Sequence, residues 1–130
     1  MNADYLNRLS KEIIGAAIEV HSYFGPGLLE NIYRDALVHE LSLRNIEAHK
    51  EVIIPCNYKG VKLDIGFRAD VVVQDSIIVE LKATQEDHPI FTKQLFTYLK
   101  VTDKKLGLLI NFNRNRLIDG VTRIVNNFPE

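Results

Sequence analysis

The residues with the clearest chemistry lie in the stretch FRADVVVQDSIIVELKAT, Phe67 to Thr84. Asp70 opens one β-branched run, and Glu80 and Lys82 sit two apart in the next. On a strand, side chains two apart project from one face, so Glu80 and Lys82 stand together while Leu81 faces the other way. The turn at Gln74–Ser76 folds the two runs into a hairpin and carries Asp70 towards Glu80. Two carboxylates beside one lysine suit phosphodiester hydrolysis. Magnesium takes one or two carboxylates and keeps waters and phosphate oxygens; it polarises the phosphate and makes bound water more nucleophilic. A neighbouring lysine holds or activates that water, or stabilises charge building on the phosphate. The plain alternative is a solvated Glu-x-Lys ion pair, which is common and contributes little. Against it, both charges interrupt the apolar run SIIVELKA, where a charge needs a partner or a metal.

A third carboxylate sits in FGPGLLENIYRDAL, Phe24 to Leu37. Glu30 falls at the start of a helical pattern, where the helix dipole alone favours a glutamate. On a helical wheel it also lies at the edge of the apolar arc, beside Leu37 and Leu41. From there it can reach over a sheet towards Asp70 and Glu80. Glu40 lies inside the same arc and has no functional reading.

The elements that must hold these groups follow from periodicity. Leu6, Leu9, Ile13, Ala17, Val20 and Phe24 recur at helical steps, predicting a helix over residues 4–24 that Gly25-Pro26-Gly27 stops. A second helix is expected over about 28–44. EVIIPCNY, VKLDIGFRADVVV and SIIVELKA then read as antiparallel strands joined by hairpins. HPIFTKQLFTYLKVT returns to helical spacing, and KLGLLINFN reads as a buried central strand, parallel to a neighbour. RLIDGVTRIVNN is open between a hairpin and a short helix. The order α-α-β-β-β-α-β predicts an α/β domain with a mixed sheet flanked by helices.

The chain has 130 residues, which favours one domain over residues 1–130. A net charge of -1 argues against coating nucleic acid by bulk charge and leaves room for a local basic groove. The single cysteine, Cys56, excludes an internal disulfide and a cysteine-cluster metal site. No apolar run nears the ~20 residues of a membrane helix, and MNADYLNRLSKE lacks a signal-peptide core. A cytoplasmic protein with no membrane contact is expected.

Taken together, these residues resemble a known family. GPGLLENIY carries Gly27, Glu30 and Tyr33 at the three named positions of the GxxExxY protein family, part of the PD-(D/E)XK nuclease superfamily. Asp70 followed by Glu80-Leu81-Lys82 resembles the superfamily's Asp…Glu-x-Lys core, with Ala69 in place of the usual proline. The likeness runs from AAIEVHSYFGPGLLE to LGLLINFN. It implies a restriction-endonuclease-like core, magnesium or manganese (Mg2+ or Mn2+) held by Asp70 and Glu80 with Glu30 completing the site, and a catalytic Lys82. Gln94 and Tyr98, four apart on one helix face, look like the Gln-x-x-x-Tyr pair of the RecB-like branch, which supports the active site and the substrate strand. Tyr98 as a core aromatic with Gln94 on the surface is the alternative.

His21 resembles the early-helix metal ligand of some RecB-like nucleases, although a lone histidine late in a helix is more often a packed or capping residue near the helix end. Arg68 would share the strand face of Asp70 and contact phosphate or a carboxylate. Lys93, Lys100, Lys104 and Lys105 make the third helix region basic, as a backbone track or a solvated surface. The expected function is therefore a metal-dependent nuclease acting on nucleic acid, with DNA preferred, working alone, as a homodimer or with a protein partner. The alternative is a nucleic-acid- or protein-binding module that keeps the fold without useful catalysis.

Overall fold

In the computed structural model, residues 2–130 are described, with the side chains of Asp64 and Ile65 excepted. Helix α1 (Ala3–Phe24) lays Leu6, Leu9, Ile13, Ala16, Ala17 and Val20 along one buried stripe. Asn2 caps it, its side chain accepting from the Tyr5 amide at 2.8 Å; such a cap stabilises by about 1 kcal/mol. The helix ends at Gly25, whose amide donates to the His21 carbonyl at 2.7 Å. Gly27 has φ 102°, a backbone that a side chain rarely adopts, which explains the glycine at this turn.

Helix α2 (Glu30–Leu43) begins two residues later than its apolar pattern implies, so Glu30 is its first residue. Tyr33 fixes that start. It is fully buried and stacked on Phe112 with ring centroids 4.5 Å apart. Its hydroxyl donates to the Gly25 carbonyl at 2.6 Å and accepts from the Leu28 amide at 3.0 Å. One phenol thus closes the Gly-Pro-Gly turn and sets where Glu30 enters. Tyr33→Phe leaves both backbone groups without that partner and is expected to cost about 1–3 kcal/mol, read by urea denaturation; an unchanged midpoint would show that water replaces the hydroxyl. Arg44 joins the two helices by pairing with Glu40 at 3.0 Å and Glu12 at 3.2 Å, which gives Glu40 a structural use.

Strands β1 (Ala48–Tyr58), β2 (Val61–Val73) and β3 (Ile77–Lys82) form an antiparallel run. Helix α3 (Pro89–Thr102) crosses over to β4 (Leu106–Asn111), which lies parallel to β3 and is buried throughout, as its continuous apolar sequence predicts. The open tail resolves into a 3-10 turn (Leu117–Gly120) and then β5 (Val121–Val125), antiparallel to β4. Among the described residues the sheet has five strands in the order β1-β2-β3-β4-β5. Val71, Val73, Val79, Leu81 and Ile110 pack on one side with α1 and α2; Val72, Ile78 and Leu109 pack on the other with Leu95, Tyr98 and Leu99 of α3. The fold is the mixed α/β, restriction-endonuclease-like architecture expected. No helix among the described residues is long and apolar enough to cross a membrane.

Candidate active site

Strands β2 and β3 pair at Val73↔Ile77, Val72↔Ile78 and Val71↔Val79, and the ladder stops there. Beyond that point β3 stays with β4 while β2 stays with β1, so the sheet forks. Asp70 and Glu80 occupy the two prongs. Each carboxylate closes the gap by accepting an amide hydrogen from the other strand. Glu80 Oε1 accepts from the Asp70 N–H at 3.1 Å, and Asp70 Oδ2 accepts from the Leu81 N–H at 2.8 Å. The side chains therefore replace the ladder bonds that the fork removes, and leave no orphaned amide at these two positions.

The fork coincides with an irregularity in β1. Glu51, which the register places across from Asp70, has φ 54°, a left-handed conformation uncommon within a strand. The arm rolls at this point. Val71 packs with α1 and α2, yet Ala69 and Phe67, which a regular strand would put on that same side, pack with α3. Phe67 meets Tyr98 with ring centroids 4.9 Å apart. Glu51 itself is held by Arg34, one turn beyond Glu30, at 3.2 Å.

The electrostatics follow from burial. Glu80 is 7% exposed. Desolvation first, and the Asp70 charge second, push its carboxyl up to about 9, against smaller opposing effects of the Asp70 N–H hydrogen bond and then of Lys82. Glu30 is raised by burial and by Asp70, opposed by Lys82 and Arg34. The Tyr98 phenol is raised by burial and by Glu80 and Asp70. Glu30, Asp70, Glu80, Lys82 and Tyr98 thus share one electrostatic environment, although they come from α2, β2, β3 and α3. The Lys82 ammonium rests over the Phe91 ring, 4.4 Å from its centroid.

Several expected residues stand apart from this group. His21 is buried at the end of α1, its Nε2 2.7 Å from the Arg114 carbonyl. A carbonyl only accepts, so that nitrogen carries the hydrogen. Arg68 is exposed and reaches Glu51 at 4.0 Å. Gln94 is exposed on the face of α3 that it shares with buried Tyr98. Of the basic residues around α3, Lys104 pairs with Asp75 and Lys105 with Asp103, at the far end of β3 from Glu80. A cavity of about 440 Å³ lined by Glu47, His49, Val52, Val72, Gln74 and Asp75 lies at that far end too.

A residue that the sequence alone does not single out holds the segment after Lys82. Asn111 is 2% exposed and pairs in register with Lys82 across the parallel ladder. Its amide accepts from the Thr84 and Asn113 N–H groups and donates to the Thr84 carbonyl and Asp87. Arg114 joins at 2.8 Å from Asp87, and both partners hold the Asp87 carboxyl below its usual range. Asn111→Ala is expected to cost about 2–3 kcal/mol and to speed amide exchange across residues 83–88. Exchange confined to its original rate would show that Arg114 alone anchors the segment.

The donor chemistry fits a hard divalent cation. Asp70 and Glu80 offer carboxylate oxygens side by side, and the burial of Glu80 beside the Asp70 charge raises the Glu80 pKa. Among the described residues no three Asp, Glu, His or Cys side chains converge as one metal-holding group. Two carboxylates are nevertheless enough for an ion that keeps waters and substrate phosphate oxygens.

No curated protein matches the chain. Among solved structures, the crystal structure of SSO0001 is similar with a TM-score of 0.50 and 25% identity, over 77% of this chain and 50% of that one. This chain therefore spans about half the length of that relative. The family model of the PD-(D/E)XK nuclease superfamily matches residues 7–124, from α1 through β5, and on that match the chain belongs to the PD-(D/E)XK nuclease superfamily.

Proposed function

We propose that this protein is a divalent-metal-dependent nuclease that hydrolyses phosphodiester bonds in nucleic acid, with DNA as the preferred substrate. The observation that carries the reading is the fork, which sets Asp70 against Glu80 with Lys82 and Glu30 acting on the same charges. Superfamily members generally use divalent metals. Here Asp70 and Glu80 would hold magnesium or manganese, and Glu30 would complete the site from the start of α2. When bound, the ion supplies Lewis-acid polarisation of the phosphate and a more nucleophilic water.

The remaining chemistry belongs to the chain itself. Lys82, whose ammonium rests over Phe91, would hold the attacking water or the charge building on the phosphate. Tyr98 flanks the carboxylates and, with Gln94, supports the substrate strand in the manner of RecB-like nucleases. The Gly27, Glu30 and Tyr33 set supports a place in the GxxExxY family, with Tyr33 fixing the entry of Glu30.

A second reading, a binding module that keeps the fold, is favoured by one observation: Glu30 does not join a three-ligand group among the described residues. Cleavage of labelled single- and double-stranded DNA and RNA with magnesium or manganese separates the two, run beside Glu80→Ala and Lys82→Ala proteins. Cutting by the unmodified protein alone supports the nuclease; no cutting, or equal cutting by all three, supports the module.

A further inference from the structure

Beyond the fork, β1 and β2 continue as a two-stranded arm towards the Tyr58–Val61 turn. Its base is anchored: Ile54 is buried and Phe67 packs on Tyr98. Its outer part is bare. From Pro55 to Leu63 every residue except Cys56 is exposed, with Tyr58 at 61% and Val61 at 60%. A bulge between Ile54 and Cys56 bends the arm, and Gly66 serves that bend, because a side chain there would collide with the Ile54 carbonyl oxygen. The seven residues from Val52 to Tyr58 reach roughly 20 Å past the fork at strand rise.

We propose that this arm is a duplex-DNA contact: a β-ribbon that enters the major groove beside the phosphate presented to Asp70 and Glu80. The proposal rests on the nuclease reading and names the substrate form it would take. Shape is the first reason. The major groove of B-form DNA admits a two-stranded ribbon, whereas the deep, narrow major groove of A-form RNA does not. Charge is the second. The outer arm carries exposed Lys59 and Lys62 against the single Asp64, while Arg68 at its base faces Glu51 at 4.0 Å, in a chain of net charge -1. Composition of the tip is the third. Lys59 sits over the Tyr58 ring at 5.3 Å, and Lys62 follows Val61. Lysines are depleted at protein–protein interfaces, while they are the groups that neutralise phosphates. The fourth is placement: Asp70 lies at the base of the arm, so a duplex gripped by the ribbon passes the carboxylates.

The test uses the full chain in EDTA and reads fluorescence anisotropy with labelled duplex DNA, duplex RNA and single-stranded DNA over a salt series. The unmodified protein is expected to prefer duplex DNA. Lys59→Ala/Lys62→Ala, both exposed positions, is expected to weaken duplex binding by about tenfold or more and to reduce the salt slope by about 2, with an unchanged circular dichroism spectrum. Equal affinity and slope in the variant would overturn the proposal, as would a preference for either other probe. A change in the sedimentation of the protein alone would also overturn it, because the arm would then join two copies of the chain. If the unmodified protein binds the duplex and the variant matches it, the arm fails and the nuclease reading stands. If the unmodified protein binds none of the three probes and cuts none with metal, both fall.

Discussion

Glu80→Gln is expected to raise the stability of the metal-free protein at neutral and alkaline pH. Burial and the Asp70 charge lift the Glu80 carboxyl from 4.5 to about 9 in the folded state. The folded protein therefore keeps a proton that the unfolded chain releases above pH ~4.5. Stability from this group is fully present below the unfolded value, falls as pH rises, and is gone once pH passes the folded value. One such proton gives a slope of at most ~1.4 kcal/mol per pH unit. Glutamine keeps the oxygen that accepts from the Asp70 N–H at 3.1 Å and never has to ionise. The variant should match the unmodified protein near pH 5 and exceed it increasingly towards pH 9, in denaturant titrations run in EDTA. Saturating magnesium should restore the unmodified protein at high pH and do little for the variant. Parallel pH profiles for the two proteins would mean that Glu80 is already ionised and satisfied without a cation.

Much of this arrangement is legible in the residues themselves. The helical stripes, the three β-branched runs and the buried β4 follow from periodicity, and Glu80 and Lys82 on one strand face follow from spacing alone. The fork does not. It comes with a left-handed backbone at Glu51 that the residue type does not announce, and with a roll that moves Ala69 and Phe67 to the α3 side. For the same reason Arg68 ends beside Glu51 and Arg34. His21 illustrates a different limit. A histidine late in a helix is more often packed than a ligand, and only the Arg114 carbonyl, 93 residues away, decides where its Nε2 hydrogen goes. Asn111 was hidden because its meaning depends on register: opposite Lys82, at the end of an apolar strand, it closes the segment that follows the Glu-x-Lys unit.

Lys82→Ala is expected to lower the cleavage rate by on the order of 10³-fold while leaving metal-dependent thermal stabilisation intact. The contrast with Glu80→Ala is the informative part. Glu80 would hold the ion, so its loss removes both cleavage and the magnesium-induced rise in Tm. Lys82 favours the ionised forms of Glu80 and Glu30, so its loss makes those carboxyls harder to ionise, but it also removes a positive charge that repels an incoming cation, and the oxygen ligands themselves stay in place. Structure should suffer little, since the ammonium packs on the Phe91 ring at 4.4 Å and such a contact contributes about 0.5–1 kcal/mol. Lys82→Arg keeps the charge and the ring contact but replaces a compact donor with a planar fork. It should recover stability and only a small part of the rate. Cleavage by Lys82→Ala within about threefold of the unmodified protein would remove Lys82 from the chemistry and leave it as a packing residue of the Phe91 face.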